Sequence, residues 1–550
     1  MNNLKNLNAE NNEISELTEN SFGYLPNLEK LKLDGNNLRR FDKETFDGLL
    51  SVRTLYMRDN AFTPVILKNL TIALPKLVSL KFLNFRGNTL ENITVGNMSN
   101  LETLYLDNAN VSIFKLKGLF ELKTLVLRGN RITKLFEDAF IDSPKLQRID
   151  ISDNVISQIN ETTFKYLNLL RILDLSSNYL KSIAPYLLAN LTSLQSLRLQ
   201  NNQLSTTDNG TLRSLNSLET LKLGSNAIRI LSGEVFRGLE KLRNLRLDYN
   251  NLTNENLVNH GTFRFLGNLR NLNLNGNKLV RTDSLTFCPF LKRLKSLELR
   301  NTDLETISSG TFSCTIDLSL LDLAENSIAY ITKNTFSGIV KLVTLDIRNN
   351  NMTSVEADSL PMMTLMRFTN DGNRMPCTCS FVLMVSVFET ECINKSGNFV
   401  PVKTITCEQE TGWLFKEESP TIDATTIEIP WTKKTTNNVT TAEIPLSNNT
   451  TASVLLHPRS NSDSKLPYPW IYVGVVIGVV FIPVMVIILI LKCTSRIQDT
   501  TAVANYKQDL PDVDRISDSN VTLDILHDDM AQDSSVPQVY TNSSSAGSSS

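Results

Sequence analysis

The cysteines are the residues whose types and spacing could supply the most chemistry in this 550-residue chain. Four of the seven are Cys377, Cys379, Cys392 and Cys407, and four thiolates this close in sequence could hold a zinc ion. Disulfides are the competing interpretation, because Asn-x-Ser/Thr sequons are dense up to residue 450 and indicate an oxidising secretory route. The sequence therefore favours disulfides over a metal site.

Two further cysteines, Cys288 and Cys314, follow phenylalanines at corresponding positions of adjacent repeats. Their Cα atoms could therefore lie within the distance that a disulfide spans. A bridge between them and a pair of buried free thiols both remain open.

Other catalytic residue types are too sparse to form a site. The three histidines, His260, His457 and His527, lie far apart along the chain, so neither a catalytic triad nor a histidine metal site can assemble. A net charge of −2 offers no basic excess for nucleic acid. We expect no enzyme activity, no cofactor, no metal and no nucleic-acid partner.

An internal repeat, L-x-x-L-x-L-x-x-N-x-L, determines where these residues lie. It recurs in phase over residues 4–375 with a mean period of about 24 residues. Sixteen copies begin at Leu4, Leu28, Val52, Leu80, Leu101, Leu122, Leu146, Leu170, Leu194, Leu218, Leu242, Leu269, Leu294, Leu318, Leu342 and Leu365.

The spacing within each copy predicts a short strand. Its fourth and sixth positions point inward and its fifth points outward, because side chains alternate along a strand. The ninth-position asparagine can satisfy backbone groups where the chain leaves the strand. Ala109 and Thr302 replace it in two copies, which we expect to be looser. Phenylalanines near the ends of most copies should pack beneath the opposite, convex side.

These repeats resemble the leucine-rich repeats of animal surface receptors. The resemblance implies an α/β repeat solenoid over residues 1–373, a horseshoe with a concave parallel sheet. It also implies that residues 374–415 form a cysteine-rich C-terminal cap, with Cys377 paired to Cys392 and Cys379 to Cys407. Residues 1–7 already lie inside a repeat, with neither a signal peptide nor a cap, so we expect the array to lack its N-terminal cap.

The fifth positions define a candidate ligand-binding surface on the concave sheet. Arg198, Lys222 and Arg246 occupy three successive copies and would form a basic ladder, with acidic residues on either side. Tyr56 and Tyr105 offer amphipathic contacts nearer the N-terminal end. An acidic ligand could bind the ladder; alternatively the surface is solvated and its charges compensate one another, with Asp248 as one internal partner.

Thirteen sequons could carry N-linked glycans, mainly at turns and on lateral or convex positions. They are Asn69, Asn92, Asn97, Asn110, Asn160, Asn190, Asn209, Asn251, Asn351, Asn394, Asn438, Asn448 and Asn449.

The C-terminal quarter of the chain predicts a membrane anchor. Residues 416–469 are rich in Ser, Thr, Asn and Pro, which predicts a disordered stalk. Residues 470–491 carry no charge and are long enough for one transmembrane helix. Residues 492–550 have a formal charge of −5 and predict a disordered cytoplasmic tail. In this tail Cys493 is a candidate for palmitoylation, and Tyr540 for phosphorylation and adaptor docking.

Together these features predict a single-pass plasma-membrane protein, with its N-terminal ectodomain outside the cell. We expect a recognition or adhesion receptor, or a co-receptor, that binds an extracellular protein or glycan. The alternative is a truncated or decoy relative of the Toll-like innate-immune receptors, which share the repeats, the cap and the single span. The 59-residue tail is too short for the folded signalling domain of those receptors.

Overall fold

The repeated L-x-L segments form the strands of one parallel sheet. The computed structural model describes residues 3–405, except 20, 61, 207–209, 259–260, 283 and 357–358, together with three strands between 433 and 456. The sheet has sixteen three-residue strands in chain order, so the predicted parallel solenoid is confirmed, and we number its coils 1 to 16. The strands are Asn6–Asn8, Lys30–Lys32, Thr54–Tyr56, Phe82–Asn84, Thr103–Tyr105, Thr124–Val126, Arg148–Asp150, Ile172–Asp174, Ser196–Arg198, Thr220–Lys222, Asn244–Arg246, Asn271–Asn273, Ser296–Glu298, Leu320–Asp322, Thr344–Asp346 and Arg367–Thr369.

The strands pair without any shift in register, so equivalent residues of successive coils stand side by side. Leu197 pairs with Leu221, and Leu221 with Leu245. All three are at most 1% exposed and belong to one continuous core. Burial of each such leucine contributes about 1.5–3 kcal/mol, which no coil could obtain alone.

The turn after each strand uses a backbone conformation that the repeat pattern alone did not predict. The eighth residue of all sixteen coils has a positive φ, between +49° and +76°. Only five of these sixteen residues are glycines; Asn11, Asp59 and Tyr249 are among the others. Each coil therefore reverses direction through one left-handed residue directly before the ninth position.

The ninth-position asparagine joins neighbouring coils, as its residue type suggested. The Asn178 Oδ1 atom accepts a hydrogen bond from the Ile156 N–H of the preceding coil at 2.9 Å. Its Nδ2 atom donates to the carbonyl oxygens of Ile151, Leu175 and Ser176 at 3.0–3.1 Å. One buried amide thus satisfies four backbone groups of two coils.

The two coils without this asparagine keep one of its connections, the acceptor for an N–H group of the preceding coil, and their looser packing stays a prediction. The Leu90 N–H donates to the Ala109 carbonyl at 2.9 Å, and the Leu279 N–H donates to the Thr302 carbonyl at 2.9 Å. A backbone carbonyl therefore takes the place of the missing side-chain acceptor in both coils.

The convex side is built from shorter and more variable elements. Its parallel strand pairs are Glu16–Leu17 with Arg40–Phe41, Asn92–Gly96 with Ile113–Lys117, Lys134–Leu135 with Gln158–Ile159, Arg281–Thr282 with Thr306–Ile307, and Tyr330–Ile331 with Ser354–Val355. Its helices are Pro64–Ala73, Leu74–Lys76 (3-10), Asn254–Val258 and Ser284–Phe287. Phenylalanines stack beneath these elements, as predicted.

Two disulfides are present among the described residues. Cys288 and Cys314 are bridged with a Cα–Cα distance of 5.6 Å, so these are not free thiols. Cys377 and Cys392 are bridged at 5.1 Å. Cys407 lies outside the described residues, so its pairing with Cys379 stays a prediction. No group of three or more metal-ligating side chains occurs within the described part of the chain.

After coil 16 the chain forms a small unit around the Cys377–Cys392 bridge. It contains the helix Cys379–Val385, the antiparallel strands Glu391–Ile393 and Phe399–Pro401, and the 3-10 helix Val402–Thr404. The Cys377 N–H donates to the Ile393 carbonyl at 3.1 Å, so the bridge and a backbone bond hold the same pair of segments.

The segment predicted to be a disordered stalk contains strands. Lys433–Thr436, Val439–Leu446 and Thr450–Leu456 form a three-stranded antiparallel sheet, contrary to that prediction. The physical reason is that the composition argument overlooked β-branched residues, which favour strands, at many of these positions. The predicted membrane span and tail, 470–550, lie outside the described residues. Among the residues that the structure describes, no helix is long and apolar enough to cross a bilayer.

Candidate ligand-binding surface

The basic ladder predicted from the fifth positions lies on adjacent strands. Arg198 pairs in register with Lys222, and Lys222 with Arg246. The structure therefore brings the three predicted cations together.

The two arginines of the ladder are held by carboxylates of the same sheet. The Arg198 Nη1 atom lies 3.5 Å from the Asp174 Oδ2 atom. Arg246 donates from Nε and Nη2 to the two carboxylate oxygens of Asp248, both at 3.1 Å. Burial raises the pKa of Asp174 above its ordinary value, although Ser176 and Arg198 oppose the shift. The interpretation of self-compensating charge therefore fits the ladder better than an open anion site.

The acidic residues beyond the ladder also differ in how well they are paired. Burial raises the pKa of Glu298 and of Asp322, and the neighbouring carboxylates add to the effect. Burial acts on Asp346 as well, but hydrogen bonds from Arg348 at 2.6–3.1 Å outweigh it and lower the pKa of Asp346. Among these three carboxylates, the fold therefore disfavours ionisation of Glu298 and Asp322 and favours that of Asp346.

The aromatic residues of coils 3 to 5 form a continuous patch. The Tyr56 and Phe82 ring centroids are 5.0 Å apart, and those of Phe82 and Tyr105 are 5.6 Å apart. All three side chains lie on the concave strands and are half-buried. We call Tyr56, Phe82 and Tyr105 the aromatic patch. Sequence reasoning found the two tyrosines but missed Phe82, because it considered only the fifth position and Phe82 occupies the third.

Charged side chains surround the aromatic patch and are largely paired with one another. The Lys30 and Lys32 ammonium groups lie 5.5 and 5.6 Å from the Tyr56 ring centroid. Glu102 contacts Lys81 at 2.8 Å and Lys123 at 2.6 Å, and hydrogen bonds from these two lysines lower its pKa. The patch thus has an apolar centre and a rim of both charge signs.

The predicted glycosylation sites leave the concave strands uncovered. Among the described residues, six sequons are exposed and three are half-buried, and none of the nine belongs to a concave strand. The exposed ones are Asn92, Asn97, Asn160, Asn190, Asn251 and Asn351; the half-buried ones are Asn69, Asn110 and Asn394. The Asn69 amide donates to the Phe41 carbonyl at 2.8 Å, so its side chain already has a structural role.

Several predicted sites lie outside the described residues. They are the sequons Asn209, Asn438, Asn448 and Asn449, the acylation candidate Cys493 and the phosphorylation candidate Tyr540.

Comparison with known proteins supports the nature of the repeats. A family model described as Leucine rich repeat matches residues 2–62, 120–180, 159–204, 192–252 and 292–352. Mimecan of Bos taurus is 33% identical over 136 residues, which are 24% of this chain and 44% of mimecan. Toll-like receptor 3 of Bos taurus is 31% identical over 175 residues, 28% of this chain and 19% of that receptor. The chain thus spans less than half the length of these relatives.

Solved structures agree with the fold. A leucine-rich-repeat protein of Leptospira interrogans superposes with a TM-score of 0.57 at 24% identity, covering 71% of this chain and 96% of that one. Mouse RP105, in its complex with MD-1, superposes with a TM-score of 0.55 at 22% identity. The superposition covers 74% of this chain and 75% of that one. The chain therefore carries leucine-rich repeats that fold as a parallel β-solenoid.

Proposed function

We propose that this chain is a single-pass cell-surface recognition or adhesion receptor that binds a protein partner through the aromatic patch on its concave sheet. The observation that carries the proposal is the contact of Tyr56, Phe82 and Tyr105 across three adjacent strands. It places apolar area where the sheet otherwise carries mainly polar and charged side chains.

The aromatic patch suits a protein interface better than the basic ladder does. Tyrosine and phenylalanine bury a large area at low conformational cost, and aromatic residues are enriched at interface hot spots. A ligand at the ladder would instead have to compete with Asp174 and Asp248, which already bind Arg198 and Arg246. Transfer of paired charges out of water without new partners is unfavourable.

The charged side chains around the aromatic patch and the related RP105 structure also favour a protein partner. Cations and carboxylates alternate around the patch, which suits a protein surface of both signs. The mouse RP105 structure, which shares this fold, is a complex with another protein, MD-1. The proposal includes neither nucleic-acid binding nor catalysis.

The experiment uses the full chain, preceded by a heterologous signal sequence and tagged at its N-terminus, on cultured cells. Antibody staining of the tag without permeabilisation tests the single-pass topology. The cells are then screened with a library of multimerised ectodomains of known surface proteins. For each binding ectodomain, Tyr56→Ala and Tyr105→Ala should each weaken binding about tenfold or more.

Two control variants make the result specific. Tyr166→Ala and Tyr179→Ala remove exposed tyrosines outside the concave strands and should leave binding unchanged. Reversal of the ladder by Arg198→Glu with Arg246→Glu should change binding much less than the patch variants do. Binding that survives the loss of both patch tyrosines but not the ladder reversal would contradict the proposed site.

The similarity to Toll-like receptor 3 favours a second candidate function, a decoy that competes for ligands of the Toll-like receptors. A decoy should reduce signalling by a co-expressed Toll-like receptor in a reporter assay. A recognition receptor in its own right should bind its partner without altering that signal.

A further inference from the structure

A run of like charges occurs at the second repeat position, on the edge of the sheet where the chain enters each strand. In coils 1 to 10 this position carries cations, carboxylates or amides, and opposite charges can pair, as Lys5 does with Glu29 at 2.9 Å. Coils 11, 12 and 13 carry three cations in succession, Arg243, Arg270 and Lys295. No other three successive coils have the same charge sign at this position.

The backbone of adjacent coils holds these three cations side by side. The Arg243 carbonyl accepts a hydrogen bond from the Arg270 N–H at 2.8 Å, and the Arg270 carbonyl accepts one from the Lys295 N–H at 2.7 Å. Neighbouring strands are about 4.8 Å apart, and like charges that face each other at this spacing repel. All three residues are exposed. The fold therefore keeps an unfavourable row of charges in contact with solvent.

Further cations widen this row into a patch. The two positions before the first leucine of each coil lie on the same edge, and in coils 11 and 13 they include three more exposed cations. Of the nine residues that coils 11 to 13 contribute to these positions, six are cations and one, Glu240, is a carboxylate. We call the six the cationic edge: Lys241, Arg243, Arg270, Lys292, Arg293 and Lys295.

Neighbouring carboxylates neutralise only part of this charge. Within the described part of the chain, the cationic edge has one ion pair, between Arg243 and Glu219 at 3.5 Å, with side chains 50% and 42% exposed. Ion pairs this exposed contribute little. Asp317 of coil 14 contacts Lys341 at 2.6 Å, and this lysine lowers the pKa of Asp317 more than the cations of the edge do. The basic ladder differs, since carboxylates of the sheet hold both of its arginines.

The composition of the edge does not suit a protein or a single-stranded nucleic acid. Its nine positions contain no aliphatic or aromatic side chain. Protein interfaces have an apolar centre, and single-stranded nucleic acids stack their bases on aromatic rings. Among the described residues of coils 11 to 13, the one sequon is Asn251, which follows the strand of coil 11 and so lies on the opposite edge. A glycan there would leave the cationic edge open.

We propose that the cationic edge binds a linear sulfated polysaccharide of the glycosaminoglycan class. Sulfate groups repeat along such a chain, so cations about 4.8 Å apart can bind them one after another. A guanidinium group can donate two parallel hydrogen bonds to an oxyanion, as it does to phosphate. Release of counterions from the polyanion adds to the affinity. The choice of this polyanion rests on the proposed cell-surface location, whereas the cationic edge itself does not.

The test measures binding of heparin by the full chain, purified in detergent and immobilised through an N-terminal tag. Arg270→Glu with Lys295→Glu should raise the Kd for heparin about tenfold or more, and should flatten its dependence on salt concentration because fewer ionic contacts form. Arg270→Gln with Lys295→Gln should act in the same direction with a smaller change. This glutamine pair should not lower the thermal midpoint, since it removes repulsion between exposed like charges.

The matched control makes the same change of net charge elsewhere on the same edge. Lys145→Glu with Arg171→Glu alters two exposed residues of coils 7 and 8 and should change the Kd for heparin much less. Competition tests the sulfate groups. Desulfated heparin, and hyaluronan, which carries only carboxylates, should compete far more weakly than heparin does.

Equal heparin affinity of the parent chain and the glutamate pair would overturn the proposal, as would an equal loss in the matched control. Desulfated heparin that competes as well as heparin would overturn the sulfate assignment. Tighter binding of single-stranded or duplex RNA than of heparin, lost in the same variants, would assign the edge to nucleic acid instead. The measurement needs neither a cell nor a protein partner, so its failure is distinct from a failure of the receptor topology or of the aromatic patch.

Discussion

Coils 12 to 14 and coils 8 and 9 share one concave sheet but are packed differently beneath it. In the first region Phe287, Phe312 and Phe336 stack at 6.2 and 6.3 Å, and the Cys288–Cys314 bridge joins coils 12 and 13. In the second region Leu188 and Leu212 take the place of the rings. The strands above both regions nevertheless pair in the same register.

This difference shows that the two faces of the solenoid are largely independent. The concave strands are specified by leucines and by the ninth-position asparagines, which are present in coils 8 and 9 as Asn178 and Asn202. The convex side can therefore lose its rings and its strand pairing without any change in the sheet.

Removal of one core side chain from each region should have the largest effect on stability. Phe312→Ala should destabilise coil 13 by about 3–5 kcal/mol, because it leaves a cavity between two stacked rings. Leu188→Ala should cost about 2 kcal/mol, because removal of the smaller leucine side chain leaves a smaller cavity. Hydrogen exchange of the strand amides of each coil measures both effects. Equal losses of stability in the two regions would contradict this difference in packing.

Removal of the bridge should have the next largest effect. Cys288→Ser with Cys314→Ser should destabilise the protein by about 3 kcal/mol, because the crosslink no longer restricts the unfolded chain over its 26-residue separation. Faster amide exchange should be confined to coils 12 and 13. Cys377→Ser with Cys392→Ser is the matched control, and it should speed amide exchange in the segment after coil 16 instead. A change in coils 8 and 9 would contradict the independence of the regions.

The smallest expected effect concerns one aspartate from each region, the half-buried Asp322 and the buried Asp174. The pKa of Asp322 and of Asp174 is raised mainly by burial, so the protonated form is the one that the fold favours. The stability from each group is fully present below the ordinary carboxyl pKa and is lost as pH rises through the raised value. Asp322→Asn should therefore raise the thermal midpoint at neutral pH, on the order of 1–3 °C.

The gain from Asp322→Asn should disappear as pH falls into the ordinary carboxyl range, where Asp322 itself is protonated. Asp174→Asn is the comparison, and its gain should be smaller because the change removes the partner of Arg198. Thermal melts of both variants between neutral and acidic pH measure this difference. A larger gain for Asp174→Asn at neutral pH would mean that its pairing with Arg198 contributes nothing.

The sheet and its register could be predicted from the sequence because the leucine period stays in phase across residues 4–375. The neighbours of Arg198, Lys222 and Arg246 followed from that register directly. Their pairing with carboxylates depends on side-chain conformation, which a repeat pattern does not specify. The left-handed eighth residue was also not evident, because eleven of the sixteen coils use a residue other than glycine there.

Other features were visible in the sequence but were not used. The change from phenylalanine to leucine at the same repeat position, at Leu188 and Leu212, marks the region without stacked rings. Pro185 marks the end of the convex strand pairing of coils 6 and 7 in the same way. Phe82 occupies the third repeat position, which faces the concave side as the fifth position does but was not considered. The strands at 433–456 were missed because low overall hydrophobicity was given more weight than β-branched residues.

The Cys288–Cys314 bridge has a mechanical consequence for a protein that is pulled from its C-terminal end. Stacked coils would peel off one after another under such a force, each adding its contour length. The crosslink withholds from extension the chain between its cysteines, which have a sequence separation of 26, and this shortens the extensible chain by roughly 90 Å. Single-molecule pulling in the presence and absence of a reductant should show this difference as a missing step near coils 12 and 13.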